Sequence, residues 1–139
     1  MRQLPPSPGL PILLVEDDPA YADTLLELLR GQGHAVDHVA DGAGVLPRLR
    51  ESRYGMLILD VLLPHVSGFA LLQQIRAEPA LAGLPIVMVS GIYRSRNHRA
   101  QLLTDFGLLD YLDKPLSFDR LAELVRRGVG SPDPPKEAP

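Results

Sequence analysis

Four apolar residues, Met56-Leu57-Ile58-Leu59, run directly into one aspartate, Asp60, and a Pro64-to-Gly68 turn follows. A short, wholly apolar run bounded by turn signals reads as a strand buried on both faces, as in a parallel sheet covered by helices. An aspartate within such a core would be expensive, whereas one at the strand's carboxyl tip can meet water, a metal or a substrate. Open α/β sheets place their ligands at that edge. Asp60 is therefore the first candidate for chemistry.

The same grammar repeats along the chain. Residues 1–10 are rich in proline and read as a loose lead-in. Ile12-Leu13-Leu14-Val15 is a first buried strand that breaks into Glu16-Asp17-Asp18-Pro19. Asp18 before a proline fits a helix N-cap. Tyr21 to Arg30 then carries leucines at helical spacing and stops at Gly31-Gln32-Gly33. His34 to Val39 reads as a second strand, with His34 and His38 expected to face solvent rather than a metal. Asp41 caps a second helix to Glu51, shortened or bent by Pro47. After the Asp60 strand comes a helix from Gly68 to Glu78. Leu84 to Val89 is a fourth strand ending in Ser90 and Gly91, and Arg94 to Phe106 is a helix closed by Gly107. Asp110 to Asp113 is a short fifth strand followed at once by Lys114-Pro115. Ser117 caps a last helix through Arg127, and the Pro-rich residues 128–139 read as a disordered tail or linker stub.

Five strands alternating with five helices predict a single α/β domain over residues 11–127, a doubly wound five-stranded parallel sheet with right-handed crossovers. Order 2-1-3-4-5 is one of the two common solutions. In it the carboxyl tips bearing Glu16 and Asp17, Asp60, Ser90 and Lys114 converge.

Those groups suggest a chemistry. One acid suffices to cap a helix, so Glu16 and Asp17 are left at a strand tip, where their repulsion calls for a cation. With no Cys in the chain and only oxygen ligands at this edge, that cation would be Mg2+ or a similar hard ion. Lys114, one of only two lysines, supplies a compact positive charge. Ser90 offers a hydroxyl, and Gly91 leaves room for a tetrahedral group. A carboxylate surrounded by metal, ammonium and hydroxyl is what phosphoryl transfer to Asp60 requires, since that reaction is mainly positioning and charge stabilisation.

The pieces Leu14-Val15-Glu16-Asp17-Asp18-Pro19, Leu59-Asp60-Val61-Leu62-Leu63-Pro64 with Gly68, Val89-Ser90-Gly91 and Tyr111-Leu112-Asp113-Lys114-Pro115 resemble the receiver domains of two-component response regulators, including the chemotaxis regulators. The likeness covers roughly residues 11 to 127 and implies a flavodoxin-like fold. It implies Asp60 as the phosphoacceptor, and Glu16, Asp17, Asp60 and the backbone carbonyl of Leu62 as Mg2+ ligands. Ser90 would be the switch hydroxyl, Tyr111 the switch aromatic and Lys114 the family's active-site lysine. The phosphodonor would be a sensor histidine kinase or a phosphotransfer protein, and the output an unidentified protein target. No enzymatic role is expected beyond the chain's own phosphoryl transfer and slow autodephosphorylation. A homodimer through the fourth helix, fifth strand and fifth helix is compatible with the likeness alone.

Glu16 stands where an aspartate is more usual, and Leu62 and Ile92 are apolar where some relatives carry polar groups that assist water, which predicts slow hydrolysis. The segment Gly91 to Arg99 is unusually basic. Arg94, Arg96 and Arg99 are either a solvated helix start or a docking surface for an acidic partner. A net charge of −3 argues against direct nucleic-acid binding, and no apolar run approaches a membrane span, so the cytoplasm is the default location. Two alternatives accompany the switch. A phosphate-independent interaction module is disfavoured because every key group is present. A hydrolase with an aspartyl nucleophile would need a second acid two residues on, where Leu62 stands. The chain is read either as a stand-alone receiver or as one whose tail begins a linker.

Overall fold

The computed structural model describes residues 9–130 apart from Tyr93. Most of the expected lead-in (residues 1–8) and of the expected tail (131–139) therefore lies outside the described residues.

Strands β1 (Ile12–Val15), β2 (Val36–Val39), β3 (Met56–Asp60), β4 (Ile86–Ser90) and β5 (Asp110–Asp113) form one sheet of order β2-β1-β3-β4-β5, every pairing parallel. Helices α1 (Pro19–Gly31), α2 (Val45–Glu51), α3 (Gly68–Ala77), α4 (Arg96–Phe106) and α5 (Phe118–Val129) connect and follow them. The predicted architecture is the observed one. Alternation along each strand explains why apolar runs were needed. Leu13, Val15, Leu57 and Leu59 face a core made with α2, α3 and α4, while Ile12, Leu14, Met56 and Ile58 face one made with α1 and α5. Each such side chain, fully buried, contributes roughly 1.5–3 kcal/mol. A polar residue in mid-strand would therefore damage one core or the other. Among the described residues, no helix is long and apolar enough to cross a membrane.

The caps set where the helices begin. Asp18 accepts the backbone N–H groups of Ala20 and Tyr21, so it is the N-cap the sequence predicts and α1 starts at Pro19. Asp41 caps a 3₁₀ turn (Gly42–Gly44) rather than α2 itself. Pro47 then falls in the first turn of α2, where its missing N–H is not needed. Ser95 caps α4 through the N–H of His98, which leaves Arg94 in the preceding loop.

Two sequence expectations are corrected. The boundary at residue 127 falls inside α5, because Gly128 is not the start of a tail. It packs so closely on β3 that an added Cβ would lie 2.2 Å from the Met56 terminal methyl. The histidines do not face solvent. His34 precedes β2 and is buried, which lowers its pKa, and its N–H bonds to the Leu29 carbonyl at the end of α1. His38 is half-buried, with Nε2 2.7 Å from the Glu16 carbonyl oxygen.

Candidate functional site

β1 and β3 are hydrogen-bonded neighbours in register, Val15 beside Leu59, so the residues after them emerge side by side. Glu16, Asp17 and Asp60 each offer an oxygen, and these oxygens lie within 4.8 Å of one another. Asp60 is 4% exposed and Glu16 2%, whereas Asp17 is exposed. β5 is two strands from β3, yet Lys114 reaches back across the edge. Its Nζ donates to Asp60 Oδ2 at 3.0 Å and lies 2.6 Å from Glu16 Oε1. The Lys114–Pro115 peptide is cis.

Asp60 is held at both oxygens, since the Leu62 N–H donates to Oδ1 at 3.0 Å. Glu16 also accepts the Asp18 N–H at Oε2. The Glu16 pKa is raised to about 7, with burial the largest cause and Asp60 acting in the same direction, against the lowering influence of Lys114. For Lys114 burial acts downward, but its bonds to Glu16 and Asp60 outweigh it and the pKa is raised. The two buried carboxylates thus share one ammonium, and the exposed Asp17 carboxylate lies beside them. The surplus negative charge and the all-oxygen donor set fit a hard divalent cation.

Ser90 at the tip of β4 is fully buried. Its Oγ accepts the Ile92 N–H at 2.9 Å, and its carbonyl accepts the Lys114 N–H at 2.8 Å. The sheet therefore places Ser90 beside the lysine segment, as the strand order implied. Tyr111, beside Met88 in the sheet register, is 3% exposed. Its hydroxyl accepts a bond from Arg94 Nε at 3.1 Å. Close approach of α3 to β3 shapes the site's other wall. A Cβ on Gly68 would lie 2.8 Å from the backbone of Asp60 and Val61, so only glycine permits this contact. Leu62 and Ile92, 55% and 42% exposed, flank Asp60 and Ser90 along the chain.

The basic trio divides. Arg96 is exposed, Arg99 pairs with Asp113 at 2.7 Å, and Arg94 is half-buried over the Phe69 ring, 5.0 Å from its centroid. Sequence reasoning missed three supports of the site. The Tyr21 ring lies 4.7 Å from Lys114 Nζ, and its hydroxyl accepts the Leu116 N–H at 3.0 Å. His38 braces the Glu16 carbonyl. The Arg94 bond to Tyr111 was also missed. Only Tyr21 had a usable signal, an aromatic residue one turn after the acidic cluster.

Comparison with known proteins identifies relatives of this arrangement. A family profile described as response regulator receiver domain matches residues 12–126. The transcriptional regulatory protein TcrA of Mycobacterium tuberculosis is 36% identical over 131 residues, covering 91% of this chain and 50% of that protein. A gliding motility regulatory protein of Myxococcus xanthus is 30% identical over 128 residues, 91% of this chain but 16% of that one. The chain thus spans half or less of these curated relatives. The receiver domain of a sensor histidine kinase from Pseudomonas aeruginosa, solved with magnesium coordinated in its active-site cleft, has a TM-score of 0.75 and 30% identity. That match covers 88% of this chain and 99% of the other. A receiver domain protein from Methanospirillum hungatei is similar at TM-score 0.75 and 25% identity, covering 87% and 94%.

Proposed function

Since the chain belongs to the response regulator receiver domain family, we propose that it is a phosphorylation-dependent signalling switch with Asp60 as phosphoacceptor. The observation that carries this reading is the buried Asp60 carboxylate, oriented at both oxygens by Lys114 and the Leu62 N–H inside an acidic cluster. An Asp60 oxygen forms the bond to phosphorus while the P–N bond to a donor histidine breaks, the histidine belonging to a sensor kinase or phosphotransfer protein. Glu16, Asp17, Asp60 and the Leu62 carbonyl would hold Mg2+, which supplies charge neutralisation for the phosphoryl oxygens. Lys114 neutralises a further oxygen and turns part of its attention from Glu16 to the new group. Ser90 accepts the Ile92 N–H and keeps its own proton for donation to the phosphoryl group. Ser90 and Tyr111 then shift the population of the surrounding loops.

The output is a protein partner met by this rearranged face, in the cytoplasm, and Arg94, Arg96 and Arg99 are the candidate contacts for an acidic one. Arg96 is exposed for that role, while Arg94 and Arg99 must first leave Tyr111 and Asp113. Intact mass after incubation with acetyl phosphate, with and without Mg2+ and beside Asp60→Asn, tests the proposal. A Mg2+-dependent gain of one phosphoryl group, absent in the variant, is expected. No gain from acetyl phosphate or from a histidine phosphodonor would favour a phosphate-independent interaction module.

A further inference from the structure

Arg94 looks from the sequence like one more solvated charge in a basic segment, yet its surroundings are those of a structural clamp. It is half-buried, its guanidinium lies over Phe69 of α3, and its Nε–H bonds to the hydroxyl of Tyr111 on β5. One side chain from the loop between β4 and α4 therefore grips two neighbouring elements. Beneath it the core holds Leu71, Leu72, Ile75, Met88 and the Tyr111 ring itself, with Phe69 packed against them, and α4 contains no fully buried residue.

That loop also leads to Asp60 by a continuous series of contacts. Asp60 holds Lys114, the Lys114 N–H bonds to the Ser90 carbonyl, and the Ser90 hydroxyl holds the Ile92 N–H, two residues before Arg94. A group that draws the Ser90 hydroxyl toward Asp60 must act on the Ile92 contact, and hence on the segment carrying Arg94.

We infer that Arg94 is the positioning residue for Tyr111, clamping its ring in the buried orientation and so ordering the Ser90 loop before any phosphoryl group arrives. The inference rests on the switch reading above and adds a residue that sets the switch's resting balance. Without the clamp, the ligand must do the ordering itself, and affinity falls accordingly. The charged hydrogen bond and the stacked cation set an upper bound on that loss, and the fraction that reaches the ligand through the loop should be roughly 3- to 10-fold. Arg94 is thereby removed from the docking surface, and by reciprocity a bound phosphoryl group tightens the clamp, which leaves the exposed Arg96 to meet an acidic partner.

The test uses the full chain labelled with 3-fluorotyrosine, which carries four tyrosines, and Arg94→Ala, Tyr111→Phe and the double variant. The resonance missing in Tyr111→Phe identifies Tyr111. In the unliganded wild type that resonance should show little H2O/D2O isotope shift. In Arg94→Ala it should move toward free fluorotyrosine and acquire that shift, with the protein still melting cooperatively. An unchanged resonance overturns the clamp. Fluoroberyllate, a tetrahedral phosphoryl mimic, is then titrated with Mg2+ into all four proteins. Arg94→Ala should weaken binding about 3- to 10-fold in the wild-type background and less than about twofold beside Tyr111→Phe. Equal losses in both backgrounds would overturn the inference. A wild type that does not bind fluoroberyllate would instead sink the switch reading, and the position of the Tyr111 resonance would still decide the clamp.

Discussion

Replacing Lys114 with methionine removes the ammonium that two buried carboxylates share. Lys114 Nζ sits 2.6 Å from Glu16 and 3.0 Å from Asp60, and both acids are almost entirely removed from water. Deleting one partner of a buried pair typically costs about 3–5 kcal/mol, because the other charge is left uncompensated. Here Glu16 has an escape, since it can take up a proton. Burial, with Asp60 beside it and against the pull of Lys114, already leaves its pKa raised from 4.5 to about 7, and loss of Lys114 removes the chief influence that lowers it. In the wild type, a carboxyl with a raised folded-state pKa favours the folded state fully below the unfolded value. That contribution, about 3 kcal/mol, is lost as pH rises from 4.5 through about 7. In Lys114→Met the decline continues to higher pH. Urea unfolding of both proteins at pH 5.5 and pH 8 should therefore show a gap of about 3–5 kcal/mol at pH 8. At pH 5.5, with Glu16 protonated and Asp60 the only unpaired buried charge, the gap narrows to about 1–3 kcal/mol. Millimolar Mg2+ at pH 8 should recover much of the loss by taking the lysine's place among the acids. A gap that is the same at both pH values, or blind to Mg2+, would refute the shared-cation account.

Three further variants test packing and exposure. Gly68→Ala drives a Cβ into the backbone of Asp60 and Val61, which cannot yield without moving α3 off β3. It should destabilise by about 1–3 kcal/mol and depress acetyl phosphate labelling of Asp60. Gly128→Ala meets chiefly the flexible end of Met56 and gains about 1 kcal/mol of helix propensity. It should lose less, and the reverse ranking by urea denaturation would contradict the contact geometry. Leu62, more than half exposed and two residues after Asp60, offers nothing to orient an attacking water. The wild-type phosphoryl group should therefore persist, and Leu62→Asn should shorten its lifetime severalfold in time-resolved intact mass; rapid spontaneous loss from the wild type would contradict this.

The sheet and most of the site were legible because burial leaves little freedom at those positions. Ile12–Val15, Met56–Leu59 and Ile86–Val89 serve a core on each face, so each must be apolar throughout. The first charged or hydroxyl residue after each run then marks where the strand meets the ligand edge. Strand order alone was enough to bring Lys114 to Asp60 across 54 positions of sequence. Helix beginnings were less legible. Cap residues such as Asp41 and Ser95 decide them by hydrogen bonds that apolar spacing does not register.

By itself, then, the amino-acid order determined the layered parallel sheet, its two cores and the residue types at its carboxyl edge. These follow from local periodicity and from the expense of burying charge. Tertiary structure alone decided how long side chains are spent. It turned Arg94 inward onto Tyr111 and Phe69, set Tyr21 against Lys114, tied His38 to the Glu16 carbonyl and carried α5 past Gly128 onto Met56. An arginine or histidine satisfies its charge and its apolar stem equally well in several directions, and only the positions of distant backbone and rings select among them.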